Sequence, residues 1–324
     1  MKKLLIVEPL MSESMKLLDD RPDIAWELVE DASPESLKGP ISDADAITVR
    51  IAPLTPEILD AAKSLRAISR HGVGYDNIPV DYCTNRRIAV TVVGDANSSS
   101  VAEHAMYLML AASRAGVEID EAVRGGRFAD RSKLIGRDLR GRTLLIVGYG
   151  RIGRRLARLA EAFGLRIVVF DPYVEELEGH AGELVPSLDD GLKIADILSL
   201  HVPLNADTEN LIGERELGLL REESIVVNAS RGGLIDENAL LAAIRSGHTR
   251  GAGLDVFESE PLPADSPLVH EKRIILSPHS ASLTRECLEA MGRVTLQNAI
   301  DAIDGNLNPK FVVNPEALDP SSSF

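Results

Sequence analysis

Short apolar, β-branched runs recur along the chain, and the intervals between them carry helical spacing. In the first stretch the runs are "KLLIVE", "AITVR", "RAISRHG" and "IAVTVV", separated by segments such as "TPEILDAAKSL". Strand and helix in alternation predict a parallel α/β unit. The segment "NSSSVAEHAMYLMLAASRAGVEIDEAVRGG" follows; Ser98 to Ser100 offer N-caps and Glu103 stands at capping-box distance, which predicts one long helix. From residue 143 a second and more regular series begins: "TLLIVG", "RIVVFD", "ADILSLHVP", "SIVVNASRGG", "AGLDVFESEP" and "RIILSPHS". Each run is almost continuously apolar, as expected of a strand buried on both faces. The connectors are helical, for example "ENALLAAIRSG" with Gly247 as its C-terminal cap. Six such strands predict a doubly wound sheet. After them "TRECLEAMGRVTLQNAIDAIDG" reads as a closing helix, and the last residues of the tail "NLNPKFVVNPEALDPSSSF" as disordered. There is no internal repeat and no low-complexity linker, and the boundary between the two series falls near residue 100.

Composition narrows the class without changing this picture. A chain of 324 residues favours two domains, since single cores seldom grow past about 250 residues. Hydrophobic content of 44% and charged content of 26% are those of an ordinary globular protein. The apolar stretch "AMYLMLAA" falls far short of the roughly 20 residues that span a bilayer. Glu8 and Pro9 interrupt the apolar start too early for a signal peptide, so no membrane association and a cytoplasmic location are expected. Cys83 and Cys287 lie far apart and outside any CxxC spacing, which suggests neither a disulfide framework nor a zinc site. A net charge of −15 argues against nucleic-acid binding. Arg137, Arg140, Arg142, Arg151, Arg154, Arg155 and Arg158 form a local exception, and all but Arg151 read as a solvated helix face and loop.

"LLIVGYGRIGRRLARLAEAFG" sets Gly148, Gly150 and Gly153 in GxGxxG spacing directly after a strand and at the opening of a helix. The next strand ends in Asp171, about 20 residues on, which completes the dinucleotide-binding fingerprint. Gly148 serves the tight turn, Gly150 the close approach of a pyrophosphate, and Gly153 the contact of helix and strand. The pyrophosphate would rest on the helix N-terminus, where Arg151 adds a charged hydrogen bond. Asp171 would accept from the ribose hydroxyls and repel a 2′-phosphate, so the expected cofactor is NAD rather than NADP.

Ligands of open α/β sheets bind beyond the carboxyl ends of the strands. Those ends here are the glycine loop, Asp171, His201, "NASRGG" with Arg231, "DVFESEP" with Glu260, and "SPHS" with His279. A strand order of 3-2-1-4-5-6 would place the adenosine half over the second and third strands and gather Arg231, Glu260 and His279 at the nicotinamide. The trio suits alcohol–ketone interconversion. Histidine titrates near neutrality and moves the hydroxyl proton, a carboxylate holds its ring and favours its charged form, and arginine binds a substrate carboxylate and polarises the adjacent carbonyl.

The series "HGVGYDNI", "SSSVAEHAMYLML", "LRGRTLLIVGYGRIG", "LSLHVPLNADTENLIG", "IVVNASRGGLIDENAL", "GAGLDVFESEP" and "LSPHSAS" resembles the D-isomer-specific 2-hydroxyacid dehydrogenases, and within them the phosphoglycerate branch, over nearly the whole chain. The resemblance implies a Rossmann cofactor domain, residues 100–283, inserted in a flavodoxin-like substrate domain made of 1–99 and 284–324. It places the family's catalytic arginine, glutamate and acid/base histidine on Arg231, Glu260 and His279. It adds Ile152, His201, Pro203, Ala229 and Asp255 to the cofactor contacts. It gives Gly72, Val73 and Gly74 the substrate carboxylate, Arg50 a second anionic group of the substrate, and the helix at 101–114 a homodimer interface, in which its apolar content agrees. The substrate is expected to be a small 2-hydroxy acid, phosphoglycerate or a similar anionic-tailed acid. Because His71 and Tyr75 depart from the phosphoglycerate pattern, sulfolactate, glycerate or hydroxypyruvate, and lactate-type acids stay open. Glu260 stands where formate dehydrogenases carry glutamine, so formate is not expected. The chain closes soon after its last helix, so neither a serine-sensing domain nor inhibition by serine is expected. A second class, NAD-binding corepressors, retains the same site residues but has long flanking tails, and turnover of any 2-keto acid discriminates. A purely structural module would leave three reactive side chains at successive strand ends unexplained.

Overall fold

The computed structural model describes residues 1–177 and 182–318; the end of the tail, expected to be disordered, lies outside them. The chain forms two compact units, Met1–Asn97 with Leu283–Phe324, and Ser98–Ser282. Among the described residues no helix is long and apolar enough to cross a membrane.

The first unit holds five parallel strands, β1 (Lys2–Val7), β2 (Ile24–Val29), β3 (Ala46–Val49), β4 (Ala67–Arg70) and β5 (Ala89–Thr91), in the order β2-β1-β3-β4-β5. That is the flavodoxin-like order, with its reversal beside β1. Alternate residues serve opposite faces: Leu5, Val7, Ile47, Val49, Ile68 and Val90 join one core, while Leu4, Ile6 and Ala46 pack on Leu296, Ala299, Ile300 and Ile303 of the closing helix. Burial of each such side chain contributes roughly 1.5–3 kcal/mol. The helix Arg285–Asp304 starts where the Thr284 side chain accepts the Cys287 N–H and stops at Gly305 with φ +76°. The strand β2 went unread in the sequence because only Ile24 of "IAWELV" is fully buried.

The second unit is a seven-stranded parallel sheet made of β6 (Thr143–Val147), β7 (Arg166–Phe170), β8 (Glu183–Leu184), β9 (Ile197–Leu200), β10 (Ser224–Asn228), β11 (Thr249–Leu254) and β12 (Ile274–Leu276). Leu144 and Ile146 face one core and Leu145 and Val147 the other, which is why these strands read as unbroken apolar runs. The order is β12-β11-β10-β9-β6-β7-β8. This corrects the expected placement of His201. The two-residue strand β8 takes the outer position beyond β7, and the strand ending at His201, β9, lies between β6 and β10. The chain's reversal, and with it the dinucleotide crevice, falls between β6 and β9.

The expected long helix is two. Ser98–Ser113 ends in a break at Ala115, φ +52°, and a separate helix, Gly116–Arg124, follows. Ser98, Ser99 and Ser100 lie inside the first turn rather than capping it. Gly247, φ +83°, does cap the helix Glu237–Ser246.

Candidate functional site

The turn after β6 is built by steric necessity. At Gly148, φ is +93° and a Cβ would stand 2.5 Å from the His201 carbonyl oxygen; at Gly153 a Cβ would stand 2.2 Å from the Gly148 oxygen. Only glycine fits either place, and the loops after β6 and β9 therefore touch at the switch point. Gly150 differs: nothing lies within 4 Å of its Cβ position, so that side of the backbone is open to an approaching phosphate. Gly150 is the N-cap of the helix Arg151–Ala162, whose first N–H groups favour an anion. A cavity of ≈400 Å³ there is lined by Tyr149, Gly150, Arg151, Arg154, Arg155 and Arg158. The arginine cluster thus splits. Arg154 lies 5.2 Å from the Tyr149 ring and Arg155 donates to Ser99 Oγ at 3.1 Å, whereas Arg137 pairs with Glu223 and Arg142 with Asp196. Four arginines, not Arg151 alone, surround this cavity.

Asp171 follows β7 and accepts from the Tyr149 N–H at 2.7 Å and the Tyr173 N–H at 2.9 Å, one bond to each oxygen. A carboxylate offers about four acceptor sites, so capacity for ribose hydroxyls remains. His201 has its Nε2 2.8 Å from Ser199 Oγ, and burial pushes its pKa down to about 4, so the ring is neutral at pH 7. Ile152 lies in the first turn of the helix Arg151–Ala162, exposed Pro203 comes two residues after His201, and buried Ala229 follows β10. An open glycine turn, a helix N-terminus and a strand-end carboxylate together fit a dinucleotide.

Three adjacent strands present the reactive side chains. β10 leads to Arg231, β11 to Glu260 and β12 to His279. His279 Nδ1 lies 2.7 Å from Glu260 Oε2, and Glu260 Oε1 accepts the Phe257 N–H at 3.1 Å. Burial alone would raise the Glu260 carboxyl; the hydrogen bond and charge of His279 and the Phe257 N–H outweigh it and hold the group below its usual range. Arg231 donates to the Ser230 carbonyl at 2.7 Å. Its turn presses on the Glu260 loop, because a Cβ on Gly232 would stand 1.7 Å from the Phe257 oxygen. A second clasp joins the same loop to the next helix: the Glu258 N–H donates to Glu237 Oε1 at 2.8 Å, and the Glu237 N–H to Glu258 Oε1 at 3.3 Å. Sequence reasoning passed over Gly232, Glu237 and Glu258; the glycine pair in "SRGG" was the available signal.

Asp255 differs from its expected place among the cofactor contacts. It is 0% exposed, and its carboxylate accepts from Ser277 Oγ at 2.6 Å and from the N–H groups of Ser280 and Ala281 at 2.8 and 2.9 Å. It serves the loop that carries His279.

In the first unit Gly72, Val73 and Gly74 follow β4. Among the described residues the N–H groups of Val73 and Gly74 meet no acceptor. Arg70 folds back over Gly72 and donates to the His71 carbonyl at 2.6 Å. Arg50 donates to the Pro9 carbonyl at 3.1 Å, and its loop is pinned by one Glu8 oxygen that accepts the N–H groups of Arg50, Ile51 and Ala52 at 3.0, 2.8 and 3.0 Å. Burial, then the charges of Arg50 and Arg70, push His71 down to about 4. Burial is the larger cause, and the two guanidiniums beside the ring add to it; sequence reasoning passed over Arg70 and Glu8 at this loop.

A glycine turn at the switch point of a Rossmann sheet, followed by a strand-end carboxylate, is the architecture of a dinucleotide-binding protein. Residues 106–281 match the model of the D-isomer specific 2-hydroxyacid dehydrogenase, NAD binding domain. The D-3-phosphoglycerate dehydrogenase of Methanocaldococcus jannaschii is 38% identical over 318 residues, 97% of this chain and 60% of its own length. The glyoxylate reductase of Korarchaeum cryptofilum is 39% identical over 301 residues, 90% of each chain. Among solved structures, a glyoxylate reductase from Paecilomyes thermophila superposes with a TM-score of 0.87 at 32% identity, covering 96% of this chain and 98% of its own. The chain belongs to the D-isomer specific 2-hydroxyacid dehydrogenase family, and it spans 60% of the length of the Methanocaldococcus relative.

Proposed function

We propose that the protein interconverts a D-2-hydroxy acid and its 2-keto acid with NAD, and that its acid carries a second anionic group, as 3-phosphoglycerate does. The observation that supports this most is the 2.7 Å contact of His279 and Glu260 at the ends of neighbouring strands. The Ser98–Ser282 unit is assigned the cofactor and the other unit the substrate's anionic groups. A bound nicotinamide cofactor would supply the redox chemistry, NAD+ as hydride acceptor in oxidation and NADH as hydride donor in reduction. His279 turns Nδ1 to Glu260, which leaves Nε2 to take the hydroxyl proton in oxidation and return it in reduction. Ionised Glu260 stabilises the imidazolium so formed. Arg231 binds the substrate carboxylate and polarises the neighbouring carbonyl. In the other unit, Val73 and Gly74 offer backbone donors of the kind that receive a carboxylate. The reading is tested by assaying NADH oxidation with a panel of 2-keto acids, and absence of turnover with all of them would sink it. A second reading, glyoxylate reduction, is favoured by the Korarchaeum relative matched over 90% of each chain, and the same panel ranks the two.

The two guanidiniums of Arg50 and Arg70 at this loop support the anionic tail. Arg50→Ala is expected to reduce kcat/KM more for a phosphate- or sulfonate-tailed acid than for pyruvate or lactate; equal losses would leave Arg50 without this role. Asp171 supports NAD over NADP. Wild-type kcat/KM should be higher with NAD, and Asp171→Ala should weaken NAD binding by about 1–2 kcal/mol, the scale of hydrogen bonds to a charged group. Parity with NADP in the wild type would refute the assignment.

We further propose a homodimer formed through the helix Ser98–Ser113, on which Tyr107 is 55% exposed, with exposed Val123 and Phe128 nearby in sequence. Sedimentation should show a dimer at micromolar concentration. Cys83 and Cys287 are both buried cysteines, which suits the proposed cytoplasmic location.

A further inference from the structure

His279 stands at φ +50°, at the crest of a loop wrapped around one buried carboxylate. Its own N–H donates to the Asp255 carbonyl at 2.7 Å, and the next two N–H groups donate to the Asp255 side chain. Before it, Ser277 Oγ donates to Asp255 Oδ1 at 2.6 Å. A serine hydroxyl has one proton, and here that proton is spent on Asp255. His104, from the helix Ser98–Ser113, places its Nε2 2.8 Å from the same Ser277 Oγ and 3.4 Å from Asp255 Oδ1. With the hydroxyl proton committed, Ser277 can only accept from His104, so the ring carries its hydrogen on Nε2. Burial alone would raise the Asp255 carboxyl. The hydrogen bonds of His104, Ser277, Ser280 and Ala281 outweigh burial and keep it an anion. An anion so enclosed is stable only while its donors are in place, and the loss of one leaves a buried charge incompletely paired.

We propose that His104 is a positioning residue for His279: together with Asp255 and Ser277 it forms a clamp that fixes the height and direction of the histidine loop. The proposal rests on His279 being the acid/base group. A histidine whose Nδ1 must meet Glu260 while Nε2 meets a substrate oxygen tolerates little misplacement, and an error of about 1 Å can cost on the order of a hundredfold in rate. The neighbours of His104 fit a fixed donor. Its ring lies 5.5 Å from the Tyr107 ring, and its Nε2 points at a serine oxygen and an anion.

The experiment measures kcat, KM for the keto acid and NADH affinity by fluorescence titration. It compares His104→Leu, which removes the donor, His104→Asn, which keeps polarity but shortens the reach, and His104→Gln, whose amide nitrogen can replace Nε2. Leu and Asn should lower kcat by roughly 10- to 100-fold, with KM and NADH affinity within about threefold of wild type, and Gln should restore most of the loss. Leu is also combined with His279→Ala. In that background its effect on kcat should shrink to less than about twofold, because no acid/base group remains to be misaligned. An equal loss in both backgrounds, unchanged kcat in Leu and Asn, or a Gln variant as impaired as Leu would overturn the proposal. If Leu does not fold, Asn alone and combined with His279→Ala carries the same comparison. Full activity of His279→Ala by itself would instead remove the acid/base reading, and is recognised separately from any failure at position 104.

Discussion

Replacing His279 with alanine is expected to lower kcat by about 10² to 10⁴, the usual contribution of a positioned acid/base group. Glu260→Gln should act through the ring. Glu260 is held below the ordinary carboxylate range, so it stays ionised throughout the neutral region. It is the anion 2.7 Å from the imidazole, and neutral glutamine removes its support for the imidazolium that oxidation forms and reduction consumes. The variant should therefore lower kcat in both directions, with KM for the keto acid near that of wild type, and steady-state rates in both directions measure it. With chemistry rate-limiting, unchanged kcat in the glutamine variant would disprove the coupling of the two residues.

The second large effect is expected at Arg231. Alanine there should reduce kcat/KM by about 10² to 10³, the range found when one donor to a developing oxyanion is removed. Lysine is the informative comparison, because it keeps the charge and loses the planar fork that grips a carboxylate at two points. Lysine should recover only a small part of the loss, and most of the deficit should appear in KM. A lysine variant with wild-type kcat/KM would show that Arg231 acts as a point charge, without bidentate recognition of the substrate.

Much of the fold could be read from the chain, for a definite physical reason. A parallel strand covered on both faces must be apolar at successive positions, so "TLLIV", "ILSL" and "SIVVN" stand out against their connectors. What failed lacked that cause. The strand β8 has two residues, and β2 is largely exposed. Missing β8 then shifted the strand count and sent His201 to the wrong side of the sheet, although the glycine turn does join a strand to a helix as its spacing predicts. The helix break at Ala115 has only the following glycine as a local sign. At the candidate site, the side chains at strand ends were legible because topology brings those ends together. Their supports were not, since His104 and Ser277 are 173 residues apart and meet only in the folded unit.

The left-handed backbone at His279 has a consequence for how this position would drift. A side chain with a Cβ held at φ +50° costs on the order of 1 kcal/mol or more, whereas glycine tolerates the conformation freely and asparagine nearly so. Substitution by either would relax the loop while deleting its imidazole. Such a change recovers the backbone cost while giving up the 2.7 Å contact with Glu260, and on the proposed role it is selection for the chemistry that holds a histidine there. A descendant released from that selection should lose its reactive group early and keep, or even improve, its thermal stability, surviving as a well-folded dinucleotide-binding protein that no longer turns over substrate.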